Sequence, residues 1–203
     1  MGAPFFENFM LDGYMALILE TAAVVEPVTL SDVKNYLKID HSFEDTLIAS
    51  MITAARVQLE TRLGRAFLRQ LWSLYLDVVP YDNVINFNVN PVISIEHVAV
   101  IDALAVYQNI DTNDYVYDIK SDPAHLKTIK PLPKIHSEYS GLRVQFWAGY
   151  GPAASDVPAP IVQAILHLVA FWHENRGPIA SGEIHQIPHV ILDMIAPFKK
   201  IHI

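Results

Sequence analysis

Five residues toward the C-terminal end of the chain carry side chains that can bind a metal or move a proton: His167, His173, Glu174, His185 and His189. Imidazole and carboxylate are ligands for first-row metals, and a metal held by such a set turns bound water into a nucleophile near neutral pH. The chemistry would be metal-dependent hydrolysis. The spacing opposes it. A His-Glu-x-x-His helix places two imidazoles on one face, whereas His173-Glu174 runs into Asn175, Arg176 and Gly177. At 3.6 residues per turn, His167 and His173 point about 120° apart. No metal site and no cofactor is assigned on this basis.

Gly149-x-Gly151-x-x-Ala154 superficially matches a dinucleotide-binding turn. Pro152 removes an amide that a phosphate would need, a second proline interrupts at Pro158, and no βαβ pattern surrounds the segment, so a tight turn between a strand and a helix is the better reading. The chain has no Gly-x-Ser-x-Gly elbow and no Gly-Lys-Ser/Thr phosphate loop. It has no cysteine, which excludes disulfides, zinc ribbons, iron–sulfur clusters and thiol nucleophiles. No catalytic residue is assigned.

Arg56, Arg62, Arg65 and Arg69 gather at the end of a long helical pattern and just past it. Cations are favoured at a helix C-terminus by its dipole, and Glu60 lies one turn from Arg56 as a partner. Contact with an acidic partner or with DNA is the functional alternative. The chain as a whole is acidic: 14 Lys and Arg against 22 Asp and Glu give a net charge of −8 over 203 residues. Such a balance argues against a protein that lives by gripping phosphate backbones, although an acidic surface suits a passage to which DNA must not stick. The apolar run from Met15 to Val25 is broken by Glu20, is too short to span a bilayer and has no basic segment before it, so neither a membrane span nor a signal peptide is expected. Trp72, Trp147 and Trp172 are read as core or interface aromatics.

Periodicity gives the secondary structure on which these residues sit. Residues 1–28 show no clean period and are read as an N-terminal arm, the first 14 as an upstream extension or a loose arm. Thr29 with Asp32 forms a capping-box variant ahead of a short helix ending near Ile39. Ser42 with Glu44 and Asp45 announces a second helix, on which Leu47, Ile48, Met51, Ile52, Ala55, Leu59 and Leu63 make one stripe before Gly64. The period then becomes two: Trp72, Leu74, Leu76 and Val78 alternate with polar residues. Strand-like runs continue at Val84–Phe87, Ile93–Ile101, Ala105–Tyr107, Tyr115–Ile119, Lys127–Lys130 and Leu142–Ala148. Pro158 and Pro160 suit a first helical turn before the apolar face of Ile161, Ile165, Leu168 and Trp172. A last amphipathic stretch runs from Pro188 to Lys199. Helices at both ends with strands between them predict an α+β fold: a helical bundle from residues 29–67 and 152–203, interrupted by an antiparallel β module, a meander or small barrel, over 68–151.

The order of these elements and several phrases resemble one family, the head-tail connector (adaptor) proteins of long-tailed phages, prophages and gene transfer agents. The resemblance runs from Pro27 to Pro197. It is carried by Pro27-Val28-Thr29-Leu30, Asp32, Lys34, Leu37 to Asp40, Asp45, Leu47-Ile48, Ala54-Ala55-Arg56 and Gly64-Arg65, and in the second half by Ala148-Gly149-Tyr150-Gly151, Val157 to Ile161, Ala164-Ile165, Trp172 and Glu174-Asn175-Arg176. The resemblance implies a structural role in the virion, at the head–tail junction, after assembly in the bacterial host cytoplasm. About a dozen copies would form a ring under the portal vertex, bind the portal protein on one side and a head-closure or tail-completion protein on the other, and leave a channel for DNA. Arg56, Arg62, Arg65 and Arg69 are then candidates for a subunit or portal interface. The C-terminal stretch with Ile195, Phe198, Lys199 and Lys200 is a candidate docking tail, unless it merely completes the core. The alternatives are a metal-dependent hydrolase built on the histidine cluster and a nucleic-acid-binding module built on the arginines.

Overall fold

The computed structural model describes residues 15–175 and 187–199. Its strands are β1 (Met15–Thr21), β2 (Gln70–Leu76), β3 (Val84–Asn86), β4 (Val92–Ile101), β5 (Tyr107–Asn109), β6 (Tyr115–Asp118), β7 (His125–Thr128) and β8 (Leu142–Ala148); its helices are α1 (Leu30–Leu37), α2 (Asp45–Leu63), α3 (Ala159–Glu174) and α4 (His189–Ile195). The chain divides into two compact units, one of Ala23–Leu68 with Tyr150–Ile203 and one of Met1–Ala22 with Arg69–Gly149.

The helical unit begins with the capping box that the sequence announced. The Asp32 amide donates to Thr29 Oγ1 at 3.1 Å, and the Thr29 amide donates back to Asp32 Oδ2 at 3.0 Å. The expected start of α2 at Ser42 is corrected: its N-cap is Glu44, which makes no side-chain cap, and the Ser42 carbonyl accepts the Asp45 amide. The salt bridge from Lys34 Nζ to Asp45 Oδ1, 2.7 Å, ties α1 to this start. Gly64 ends α2 at φ 64°, the left-handed conformation that costs glycine least. Pro158 is the N-cap of α3 and Pro160 lies in its first turn, where a missing N–H is harmless.

Ile48, Ile52, Ala55, Leu59 and Leu63 of α2 meet Ile161, Ala164, Ile165, Leu168 and Val169 of α3 in one core, joined by Val33 of α1 and by Ile191 and Ile195 of α4. Burial of each large aliphatic side chain contributes about 1.5–3 kcal/mol. Leu47, expected in the α2 stripe, is exposed instead, because a residue next to Ile48 is turned about 100° from it around the axis.

The β unit holds two antiparallel sheets: five strands in the order β1-β2-β8-β4-β5 and three in the order β3-β7-β6. Among the described residues neither closes into a barrel, so the α+β architecture stands with open sheets. The hairpins β4-β5 and β6-β7 are meander-like, while β2 pairs with β8 about seventy residues later in the chain. Period two is obeyed on β2 and β8: Trp72, Leu74 and Leu76 sit opposite Phe146, Val144 and Leu142, all buried. The Phe87 and Phe146 rings lie 4.6 Å apart in this core.

Residues 15–21 fall in the stretch expected to be an arm, yet they form β1, with Met15 opposite Leu76 and Leu17 opposite Leu74. Edge pairing needs only a backbone partner, so five apolar residues in succession, Met15 to Leu19, gave no alternation to read. Ala105, expected in a strand, sits at φ 59° in the β4-β5 turn, where Asp102 Oδ1 accepts the Leu104 and Val106 amides.

Candidate interaction surface

The four clustered arginines have different surroundings. Arg56 is buried, 7% exposed, and lies between two carboxylates. Its Nε donates to Glu26 Oε2 at 2.7 Å, and its Nη1 donates to Glu60 Oε2 at 2.7 Å. Glu60 Oε1 in turn accepts the Phe67 amide at 2.7 Å. Burial pushes the Glu60 carboxyl up from its ordinary value, partly offset by Arg56 and the Phe67 amide. Burial disfavours the Arg56 charge, but the two carboxylates outweigh it and hold the guanidinium more firmly protonated. Glu26 precedes α1 and Phe67 follows α2, so this network fastens both ends of the α1–α2 segment. Arg56 is thereby corrected from an interface candidate to an internal strut.

Arg62 is exposed on the last turn of α2. Arg65 is half-buried, and its Nε donates to the Phe198 carbonyl at 2.5 Å. Arg69 belongs to the β unit and stacks over the Trp147 ring at 4.0 Å. In the C-terminal stretch Ile195 is buried in the helical core, which corrects its place among the interface candidates; Phe198 packs partly buried against the same core. Lys199 is exposed, whereas Lys200 and the last three residues lie outside the described residues.

His173 and His167 are drawn into separate contacts. His173 Nε2 lies 3.0 Å from Glu44 Oε2, and His167 Nδ1 lies 3.3 Å from the Tyr36 hydroxyl with the rings edge to face. His189 opens α4 and is exposed; His185 lies outside the described residues. Among the described residues no group of three or more His, Asp and Glu side chains could hold a metal. The glycine turn carries its own anion: the Ala153 amide donates to Asp156 Oδ2 at 2.8 Å, and a Cβ on Gly151 would meet that carboxylate at 2.3 Å. No helix among the described residues is long and apolar enough to cross a membrane.

What the surface offers is contact. An open, mainly apolar groove of about 620 Å³ in the helical unit is lined by Val25, Val28, Leu30, Ile52, Pro152 and Ala154. Its one carboxylate, Glu26, already accepts from Arg56 and from the Thr53 hydroxyl. Phe43, between α1 and α2, is 92% exposed, and Val24 and Tyr81 stand free as well. The periodicity of the sequence did not flag these three. An apolar residue inside a polar turn, as in Asp40-His41-Ser42-Phe43-Glu44, was the available signal.

Comparison with known proteins gives this surface a context. Three structural neighbours share the fold. One is a chain of the virion of a native gene transfer agent particle, 17% identical, TM-score 0.75, with 92% of this chain and 96% of that chain covered. Another is a chain of the neck of an empty gene transfer agent particle computed with C6 symmetry, 19% identical, TM-score 0.76, with 92% and 96% covered. The third, from the neck of a native particle computed with C12 symmetry, is 18% identical at TM-score 0.72, with 92% and 97% covered. No curated protein matches the sequence. Residues 27–121, from just before α1 to just after β6, match the family of phage gp6-like head-tail connector proteins.

Proposed function

We propose that this chain is a structural subunit of a head–tail junction, with copies arranged as a ring beneath a portal protein, joined on the other side to a head-closure or tail-completion protein. The observation that carries the reading is the connector-family match over residues 27–121. Particle necks of sixfold and twelvefold symmetry contain chains of the same fold, which supports a ring of up to twelve copies. Its bore would let DNA pass without sequence-specific grip, in keeping with a net charge of −8. The role is mechanical rather than catalytic: His173, His167 and the glycine turn are engaged in internal contacts. Arg62, Arg65, Arg69, Phe198 and Lys199 are the remaining described candidates for a subunit or portal contact, with Lys200 beyond them.

Light scattering on a size-exclusion column tests this, first on the chain alone and then mixed with the portal protein encoded beside it. A large stoichiometric complex with the portal is expected. A chain that stays monomeric and ignores the portal at micromolar concentration would overturn the connector reading.

A further inference from the structure

The five-stranded sheet turns Trp72, Leu74 and Leu76 with their cross-strand partners toward the core of the β unit, so alternate residues point the other way. On an antiparallel sheet that second face is ordinarily polar. Here the pairing register places Ile18 on β1, Tyr75 on β2 and Arg143 and Trp147 on β8 on this face. Tyr107 of β5 joins them, its ring 6.2 Å from that of Tyr75. Ile18 is exposed, while Tyr75, Tyr107, Arg143 and Trp147 are partly so.

Two guanidinium groups lie on these rings: Arg69 over Trp147 at 4.0 Å and Arg143 over Tyr107 at 4.5 Å. Neither arginine has a carboxylate partner among the described residues, and Arg143 Nε, though buried, makes no hydrogen bond. A guanidinium flat on a ring is held in place by cation–π attraction and keeps its N–H edge available for an incoming acceptor. Trp, Tyr and Arg are also enriched at the energetic centres of protein–protein interfaces; Trp and Tyr cover much area at little cost in rotamer freedom, and Arg adds a planar fork of donors.

We infer that this outer sheet face is a docking surface for a second copy of the same chain. Charge complementarity favours that occupant: the face is cationic and aromatic, and the chain as a whole carries eight more acidic than basic residues. The segment between α1 and α2 supplies the matching chemistry, an exposed Phe43 beside an exposed Asp40. It lies in the other unit of the chain, so the contact is heterologous, one patch on a different patch, which is the type that generates rings. The inference rests on the ring reading proposed above and specifies which surface closes it.

The absence of cysteine allows a clean test. Gln145, opposite Ser73 on the same face, is replaced (Gln145→Cys) and labelled with a photoactivatable crosslinker, and the protein is irradiated in its complex with the portal. A crosslinked species of twice the chain mass, with the attachment mapped to residues 40–47, is expected. Arg143→Glu should reduce that crosslink at least tenfold, and Arg143→Glu combined with Asp40→Arg should restore it. Labelling of DNA, of the portal or within the same chain, in rings that still form, would overturn this surface assignment while leaving the connector reading intact. Failure to form any complex with the portal would instead remove the connector reading, and the inference with it.

Discussion

Replacing Arg56 by methionine is the most decisive perturbation, because the sequence offered this arginine as a contact residue and the structure makes it a strut. Met matches the length of the aliphatic stem but takes the guanidinium away from Glu60, whose side chain is 96% covered. Breaking a buried ion pair from one side costs about 3–5 kcal/mol. Glu26 lies nearer the surface and can rehydrate, so the loss falls mainly on Glu60 and about 3–4 kcal/mol at pH 7 is expected. Without Arg56 the Glu60 carboxyl is raised further in the folded state than in the unfolded chain. A carboxyl of that kind favours folding at low pH and loses the advantage as pH rises through its folded value, so the deficit of Arg56→Met should shrink between pH 7 and pH 5. Adding Glu60→Gln should recover about 2 kcal/mol, since an amide oxygen still accepts the Phe67 N–H without a buried charge. Urea unfolding followed by helical circular dichroism, with unchanged slope, measures all three. A loss below about 1 kcal/mol for Arg56→Met, or a double variant no more stable than the single one, would refute the strut and return Arg56 to the surface candidates.

Other expectations rest on single contacts. Gly151→Ala drives a methyl group into the Asp156 carboxylate, and since that carboxylate also accepts the Ala153 amide, a loss of about 1–3 kcal/mol in thermal or urea unfolding is expected. The hydrogen bonds from the Thr29 hydroxyl and amide hold Asp32 below the usual carboxylate range, so the cap is intact above the unfolded value near 3.8 and is lost as pH falls through the depressed one; amide exchange in α1 should accelerate only there, and at all pH values in Asp32→Ala. Arg62→Glu should weaken ring or portal assembly without changing the melting temperature, whereas Arg65→Glu should also loosen the C-terminal stretch, because it removes the donor to the Phe198 carbonyl. Light scattering beside a thermal melt separates the two, and unchanged assembly for both would remove the C-terminal end of α2 from the interface.

Local elements were legible in the sequence wherever one short-range rule governed them. The Thr29–Asp32 cap, the Gly64 stop, the prolines opening α3 and the alternation along β2 and β8 each depend on neighbours within a few residues. So did the α+β order and the family phrases between Pro27 and Asp40. The apolar strand β1, which pairs with β2 about fifty residues away, had no local signature, because an edge strand takes its register from its partner.

The candidate surface divides the same way. Residue type and spacing put Arg56, Arg62, Arg65 and Arg69 in one group, and that is as far as a one-dimensional pattern reaches. Whether an arginine is a contact or a strut depends on which carboxylates the fold carries to it. Glu26 reaches Arg56 from thirty positions away, Phe198 reaches Arg65 from 133 positions away, and Trp147 comes beneath Arg69 only through the β2–β8 pairing. The sequence determined the elements other than β1, their order and the excess of negative charge; tertiary structure decided where β1 pairs and which of the few cations are buried. Burial and pairing are properties of long-range closure, and the desolvation of a charge is set by everything packed around it rather than by its neighbours in the chain.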